Sequence, residues 1–154
     1  MPTFYMMVGL PASGKTTKAK WIEENYPCIE KVVAISSDAL REELLGDIED
    51  QSRNREIFDI LHSLVKAELY HGNSVVYDAT NLNSKRRKEF LESLDLLPCR
   101  KVCIFMSTPY EMCLERNQNR ERRVPIKAMQ KMKRSLDKPT LDEGWDDIYI
   151  EEDR

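Results

Sequence analysis

Near the N-terminus, Gly9-Leu10-Pro11-Ala12-Ser13-Gly14-Lys15-Thr16 fits the pattern G-x-x-x-x-G-K-[ST]. The spacing has a physical purpose. Two glycines let the backbone wrap closely around phosphate oxygens, and the amides of a following helix N-terminus point at the same anion. Lys15 is then placed to reach the β and γ phosphates of a nucleoside triphosphate such as ATP. Thr16 offers its hydroxyl to Mg2+, a hard cation that prefers oxygen ligands. Gly9, Pro11, Ala12, Ser13, Gly14, Lys15, Thr16 and Thr17 are therefore the candidate phosphate-binding residues.

Two further segments bring acids to places where chemistry gathers. Ser36-Ser37-Asp38 ends an apolar run, and Arg41 follows Asp38 by three residues, one helical turn on and on the same face. An acid there can accept the proton of an incoming hydroxyl while Arg41 holds a phosphate on the acceptor. The alternative is that Asp38 merely caps a helix. Tyr77-Asp78-Ala79-Thr80-Asn81 likewise ends an apolar run in an acid. Asp78 reads either as a second magnesium-ordering group beside Thr16 or as part of a simple strand-to-helix turn.

Positive charge is supplied by Glu115-Arg116-Asn117-Gln118-Asn119-Arg120-Glu121-Arg122-Arg123-Val124-Pro125. Phosphoryl transfer needs cations around the oxygens of the moving phosphate, and a basic lid supplies them while excluding water. Arg120 is the candidate catalytic arginine, with Arg116 one turn earlier on the same face; Arg122 and Arg123 read as solvent-facing or as contacts to substrate backbone. Lys85-Arg86-Arg87-Lys88 reads as a solvated basic cluster, with substrate binding as the alternative.

These residues need a scaffold that presents strand ends to one cleft. Short apolar runs at Phe4 to Val8, Lys31 to Ser36, Ser74 to Asp78 and Lys101 to Met106 alternate with helical patterns, which predicts a parallel sheet of about four strands with helices on both faces. The clearest helix runs from Arg53 to Tyr70, where Ile57, Leu61, Leu64 and Val65 repeat at helical spacing before the stop signal His71-Gly72-Asn73. Other helices are expected over Thr16 to Asn25, Ala39 to Leu45, Ser84 to Leu94 and Tyr110 to Asn119, with a last one starting near Pro125.

Length and composition agree with one α/β domain. The chain has 154 residues, 41% of them apolar and 33% charged. No apolar run approaches the ~20 residues of a membrane span, and the N-terminus reads as a first strand, so a cytoplasmic protein is expected. The net charge of −3 is uneven: residues 137–154 carry −6 and the preceding 136 carry +3. The body is thus residues 1–136, followed by an acidic tail, 137–154, packed on it or extending from it. A mildly basic body permits a phosphate-rich partner. Cys28, Cys99, Cys103 and Cys113 lack paired CxxC spacing and read as reduced structural thiols.

Taken together, GLPASGKTT, Ser37-Asp38-Ala39-Leu40-Arg41, VVYDATNLNSKRR and ERNQNRERRVP resemble the kinase domain of phage and bacterial polynucleotide 5′-hydroxyl kinases over nearly all of residues 4 to 136. The resemblance implies a single P-loop kinase domain with an Arg-rich lid, using ATP and Mg2+. It implies Asp38 as general base, Arg41 on the acceptor's phosphate, Arg120 on the donor phosphates, and Asp78 in the D-x-[ST]-N element. The implied acceptor is a 5′-hydroxyl end of DNA or RNA; a metabolite or nucleoside kinase, or a nucleotide-dependent switch, are the alternatives. The D-x-D-G-T acid pair of a fused phosphatase is not in the sequence, so 3′-phosphate removal is not expected.

Overall fold

Apolar runs of five to seven residues, rich in Val, Ile, Met and Phe, are too short to be buried as helices and become neighbouring strands instead. The computed structural model describes residues 1–26 and 31–152. In chain order the elements are β1 (Thr3–Val8), α1 (Lys15–Asn25), β2 (Val32–Ser36), α2 (Ser37–Leu45), α3 (Asn54–Tyr70), β3 (Ser74–Asp78), α4 (Ser84–Ser93), β4 (Arg100–Met106), α5 (Tyr110–Asn119) and α6 (Ile126–Ser135). A 3-10 turn (Leu141–Glu143) and β5 (Asp147–Glu151) complete them. The sheet order is β2-β3-β1-β4-β5 with every pairing parallel. Ser36 and Asp78 are register partners, so β2 and β3 end level with one another beside the turn that follows β1.

The sheet has one strand more than the four read from the sequence. The fifth, Asp-Ile-Tyr-Ile-Glu, lies at the edge, where Ile148 packs against the core while Tyr149 and Ile150 remain exposed. An edge strand with one inward apolar side chain and acids at both ends leaves little alternation to detect. Just before it, Trp145 is buried and stacks with its ring centroid 6.5 Å from that of Phe4 on β1.

Both faces of the sheet are covered. One carries Phe4, Met6, Tyr77, Leu61, Val65 and Phe90; the other packs Met7, Val76, Val102 and Ile104 against Ala19 and Ile22 of α1. On α3 the buried stripe is Ile57, Leu61, Val65 and Leu69, a run at i, i+4 spacing. Leu64, expected in the core, is 42% exposed because the stripe turns past it. Among the described residues Cys99, Cys103 and Cys113 are free thiols, and burial pushes Cys103 up to about 12; Cys28 lies outside the described residues. No described helix is long and apolar enough to cross a membrane.

The basic cluster at the start of α4 departs from the solvated reading at Arg87, which is 1% exposed. Its Nε and Nη2 donate to the two carboxylate oxygens of Glu143 at 2.8 and 3.0 Å, while Nη1 and Nη2 donate to the carbonyls of Asn81 and Asp137. Glu143 also accepts from Trp145 Nε1 and from the Thr140 amide. Burial opposes the charge on Glu143, but the hydrogen bonds from Arg87, Trp145 and Thr140 together with the Arg87 charge outweigh it, and its pKa lies below the usual 4.5. The stability this adds is present above that value and is lost as pH falls through the depressed one. Arg87→Met leaves a buried carboxylate without its partner and is expected to cost about 3–5 kcal/mol in urea unfolding at pH 7, part of which Arg87→Met combined with Glu143→Gln should recover, since the amide is uncharged and its oxygen still accepts from Trp145 Nε1. A loss below about 1 kcal/mol in the single variant would contradict this role.

Candidate active site

The turn between β1 and α1 has the geometry its residue types demand. A Cβ on Gly9 would stand 2.8 Å from Ser13 Oγ and 3.1 Å from the Met106 carbonyl, so only glycine fits where the chain leaves the sheet. Gly14, at φ 99°, adopts the left-handed conformation that caps α1, and Ala12 shares that region at φ 63°. The loop curls back on itself through Ser13 N donating to the Leu10 carbonyl at 3.2 Å. Lys15 lies across it, Nζ donating to the same carbonyl at 2.7 Å. Lys15 is buried, and burial lowers its pKa from 10.5 to about 8 even though Asp78 pulls the other way. Ser13 Oγ is enclosed without a hydrogen-bond partner, packed against Gly9 inside the turn.

Neighbouring strand ends lock this loop in place. Asn81, at φ 49°, donates from Nδ2 to the carbonyl of Met7 at 2.8 Å, and Gly9 N donates to the carbonyl of Thr80. Thr108, after β4, donates its hydroxyl to the Ser13 carbonyl at 2.8 Å. The Asp78-Ala79-Thr80-Asn81 segment is therefore the clamp between β3 and the phosphate loop, in addition to what Asp78 itself does. Thr16 Oγ1 donates to Asp78 Oδ2 at 2.9 Å. Asp78 is raised by burial and held back by Lys15 and Thr16. The N-cap of α4 is Asn83, five residues after Asp78, its side chain accepting from Arg86 N.

The reading of Asp38 as a helix cap is displaced. Ser36 caps α2, its hydroxyl accepting from Ala39 N at 3.3 Å, which leaves the Asp38 carboxylate for other partners. Oδ1 accepts from Arg41 Nη1 at 3.1 Å and Oδ2 from Arg122 Nη1 at 3.2 Å. Arg41 is nearly enclosed, with Nε and Nη2 both donating to Asn54 Oδ1 and the guanidinium 5.6 Å from the Phe58 ring. It therefore steadies Asp38 from behind while facing the cleft.

The arginine segment runs from the last turn of α5, which carries Arg116, into the irregular link to α6, which carries Arg120, Arg122 and Arg123. Fully buried Asn117 ties it into a loop: its Oδ1 accepts from Val124 N and Arg120 Nε, and its Nδ2 donates to the Val124 carbonyl at 2.7 Å. Beneath lies an apolar plug in which Leu10 of the phosphate loop meets Cys113 and Met129. Arg116, Arg120, Arg122 and Arg123 all line one cleft of about 1060 Å³ with Lys15, Thr16, Thr17, Asp38, Arg41 and Asp78. The structure thus brings the phosphate loop, both acids and the arginines together.

It also separates arginines that the sequence left as solvent-facing or substrate-contacting, and adds two asparagines. Arg86 lines this cleft rather than facing bulk solvent alone, and Arg122 reaches an acid 84 residues away. Asn54 and Asn117 are positioning residues whose only sequence signal was a polar side chain at a helix start or within a helical pattern.

Comparison with known proteins gives matches to a family, a relative and two solved structures. A family model, described as an AAA domain and named AAA_33, matches residues 4–139. The chain is 26% identical over 153 residues to L-seryl-tRNA(Sec) kinase of Methanococcus maripaludis, covering 95% of this chain; it spans only 58% of that relative's length. Among solved structures, a candidate kinase of Chloroflexus aurantiacus J-10-fl superposes with a TM-score of 0.76 at 19% identity, covering 97% of this chain and 84% of that one. A chain of the Pnkp1/Rnl/Hen1 RNA repair complex gives 0.76 at 20% identity, covering 88% of this chain and 44% of that one. At such identities the structural likeness carries the fold alone.

Proposed function

The chain belongs to the AAA domain family AAA_33 and has the P-loop kinase fold, and on that premise we propose that it is an ATP-dependent kinase whose acceptor is the 5′-hydroxyl of a polynucleotide. The observation that carries the reading is the Asp38 carboxylate, released from helix capping by Ser36 and held at the cleft between two guanidiniums, in the same cavity as Lys15. Asp38 takes the proton of the acceptor hydroxyl as that oxygen bonds to the γ-phosphorus. The bond from the γ-phosphorus to the β,γ-bridging oxygen breaks, and ADP leaves with the electron pair. Lys15, Arg120 and Arg116 meet the charge on the phosphate oxygens. Thr16 and Asp78, adjacent hard oxygen donors, would hold Mg2+, which neutralises phosphate charge when bound.

A second acceptor is favoured by one observation. The relative from Methanococcus maripaludis is named for a seryl group on tRNA and aligns over 95% of this chain. Both acceptors present a primary hydroxyl on a nucleic acid, and both suit a cleft with seven basic and three acidic side chains among its described residues. The test is transfer from γ-labelled ATP to 5′-hydroxyl DNA, 5′-hydroxyl RNA, adenosine and an RNA bearing a 3′-seryl ester. The expected result is kcat/KM at least tenfold higher on 5′-hydroxyl strands than on adenosine. Preference for the seryl ester would move the second reading ahead, and preference for adenosine would overturn both.

A further inference from the structure

We propose that Arg122 is the acceptor-recognition residue of this cleft: it rests on Asp38 until an anionic group beside the reacting hydroxyl draws it away. The inference rests on the reading of Asp38 as the base. Arg122 belongs to the irregular link after α5, is about a third exposed, and makes its hydrogen bond to Asp38 through Nη1. Its Nε is enclosed with no hydrogen-bond partner, an arrangement that leaves a buried donor unsatisfied. Arg122 also stands close enough to Arg120 for the two charges to repel one another. Arg41 is in the opposite condition, enclosed and held by Asn54 and Asp38 together.

An oxyanion arriving next to Asp38 answers both defects of Arg122. Phosphate oxygens accept from Nε and an Nη in the paired geometry that a guanidinium favours, and the added negative charge relieves the Arg120–Arg122 repulsion. Once Arg122 has moved, Asp38 Oδ2 has lost its competing donor and can accept from the acceptor hydroxyl. A neutral acceptor offers Arg122 nothing and must displace it from the carboxylate unaided. Selectivity for a hydroxyl with a neighbouring phosphodiester or phosphomonoester follows from the same contact.

The experiment measures kcat/KM for adenosine, adenosine 3′-monophosphate and a short 5′-hydroxyl oligonucleotide with wild type, Arg122→Ala, Arg122→Lys and Arg120→Ala. Arg122→Ala is expected to shrink the preference for the two phosphorylated acceptors over adenosine at least tenfold, mainly through KM. Arg122→Lys should restore the preference only partly, since an ammonium cannot make the paired contact. Arg120→Ala should lower all three acceptors together. An unchanged preference in Arg122→Ala, or a uniform loss matching that of Arg120→Ala, overturns the proposal. Asp38→Asn in the same assay separates the two layers. If it keeps near-normal turnover while Arg122→Ala still loses selectivity, the base assignment falls and Arg122 recognition of the anion stands.

Discussion

Lys15→Met is expected to reduce phosphoryl transfer on the order of a thousandfold on every acceptor while making the nucleotide-free protein more stable. The two effects have one cause. Lys15 is an ammonium enclosed against the Leu10 carbonyl, and burial takes its pKa from 10.5 to about 8. That shift corresponds to roughly 3 kcal/mol of penalty for the charged form in the fold. The folded state releases this proton before the unfolded chain does, so the penalty is full below pH 8, is relieved as pH rises from 8 to 10.5, and is gone above that. Methionine keeps the stem and drops the charge. Its stability gain over wild type, on the order of 2 kcal/mol at pH 7, should shrink across the same window. ATP should then raise the melting temperature of wild type much more than that of the variant. Near-normal turnover in Lys15→Met would undo the phosphate-loop assignment, and a loss of stability would undo the account of its burial.

Asp38→Asn is the second large effect, with turnover expected to fall about a hundredfold to ten-thousandfold, the range a positioned general base contributes. Ser36 caps α2, so the substitution leaves helix capping intact, and an asparagine oxygen still accepts from one guanidinium. What it lacks is the capacity to take a proton. ATP affinity, measured by calorimetry, should remain within a few-fold of wild type. A variant that loses ATP binding in proportion to turnover would make Asp38 a structural anchor of the cleft instead.

Most of the scaffold was legible because it is written in local patterns. The apolar runs of β1 to β4 and the spacing of α3 follow from burial of one face at a time, and β3 and α5 fall where periodicity puts them. The phosphate loop was legible because glycine is required for two separate steric reasons, at Gly9 and at Gly14. The acidic segment was harder to read, since its acids serve non-local partners. Glu143 answers Arg87, Asp137 accepts from Ser84, and Trp145 fills space beside Phe4, none of which leaves a periodic trace. The division of labour among the arginines was hidden for the same reason. Arg86, Arg87, Arg122 and Arg123 look alike in a charge run, and only the tertiary fold sends one into the core, one to Asp38 and the others to the rim.

The most direct measurement uses γ-labelled ATP and two oligonucleotides that differ in one atom, one ending in a 5′-hydroxyl and the other in a 5′-deoxy sugar. The expected result is one labelled phosphate per 5′-hydroxyl strand, released by nuclease digestion as labelled nucleoside 5′-monophosphate, with the 5′-deoxy strand unlabelled. Equal labelling of the two strands, or label on neither while a small hydroxyl compound or a seryl ester is phosphorylated, would contradict the assignment of the 5′-hydroxyl as the acceptor.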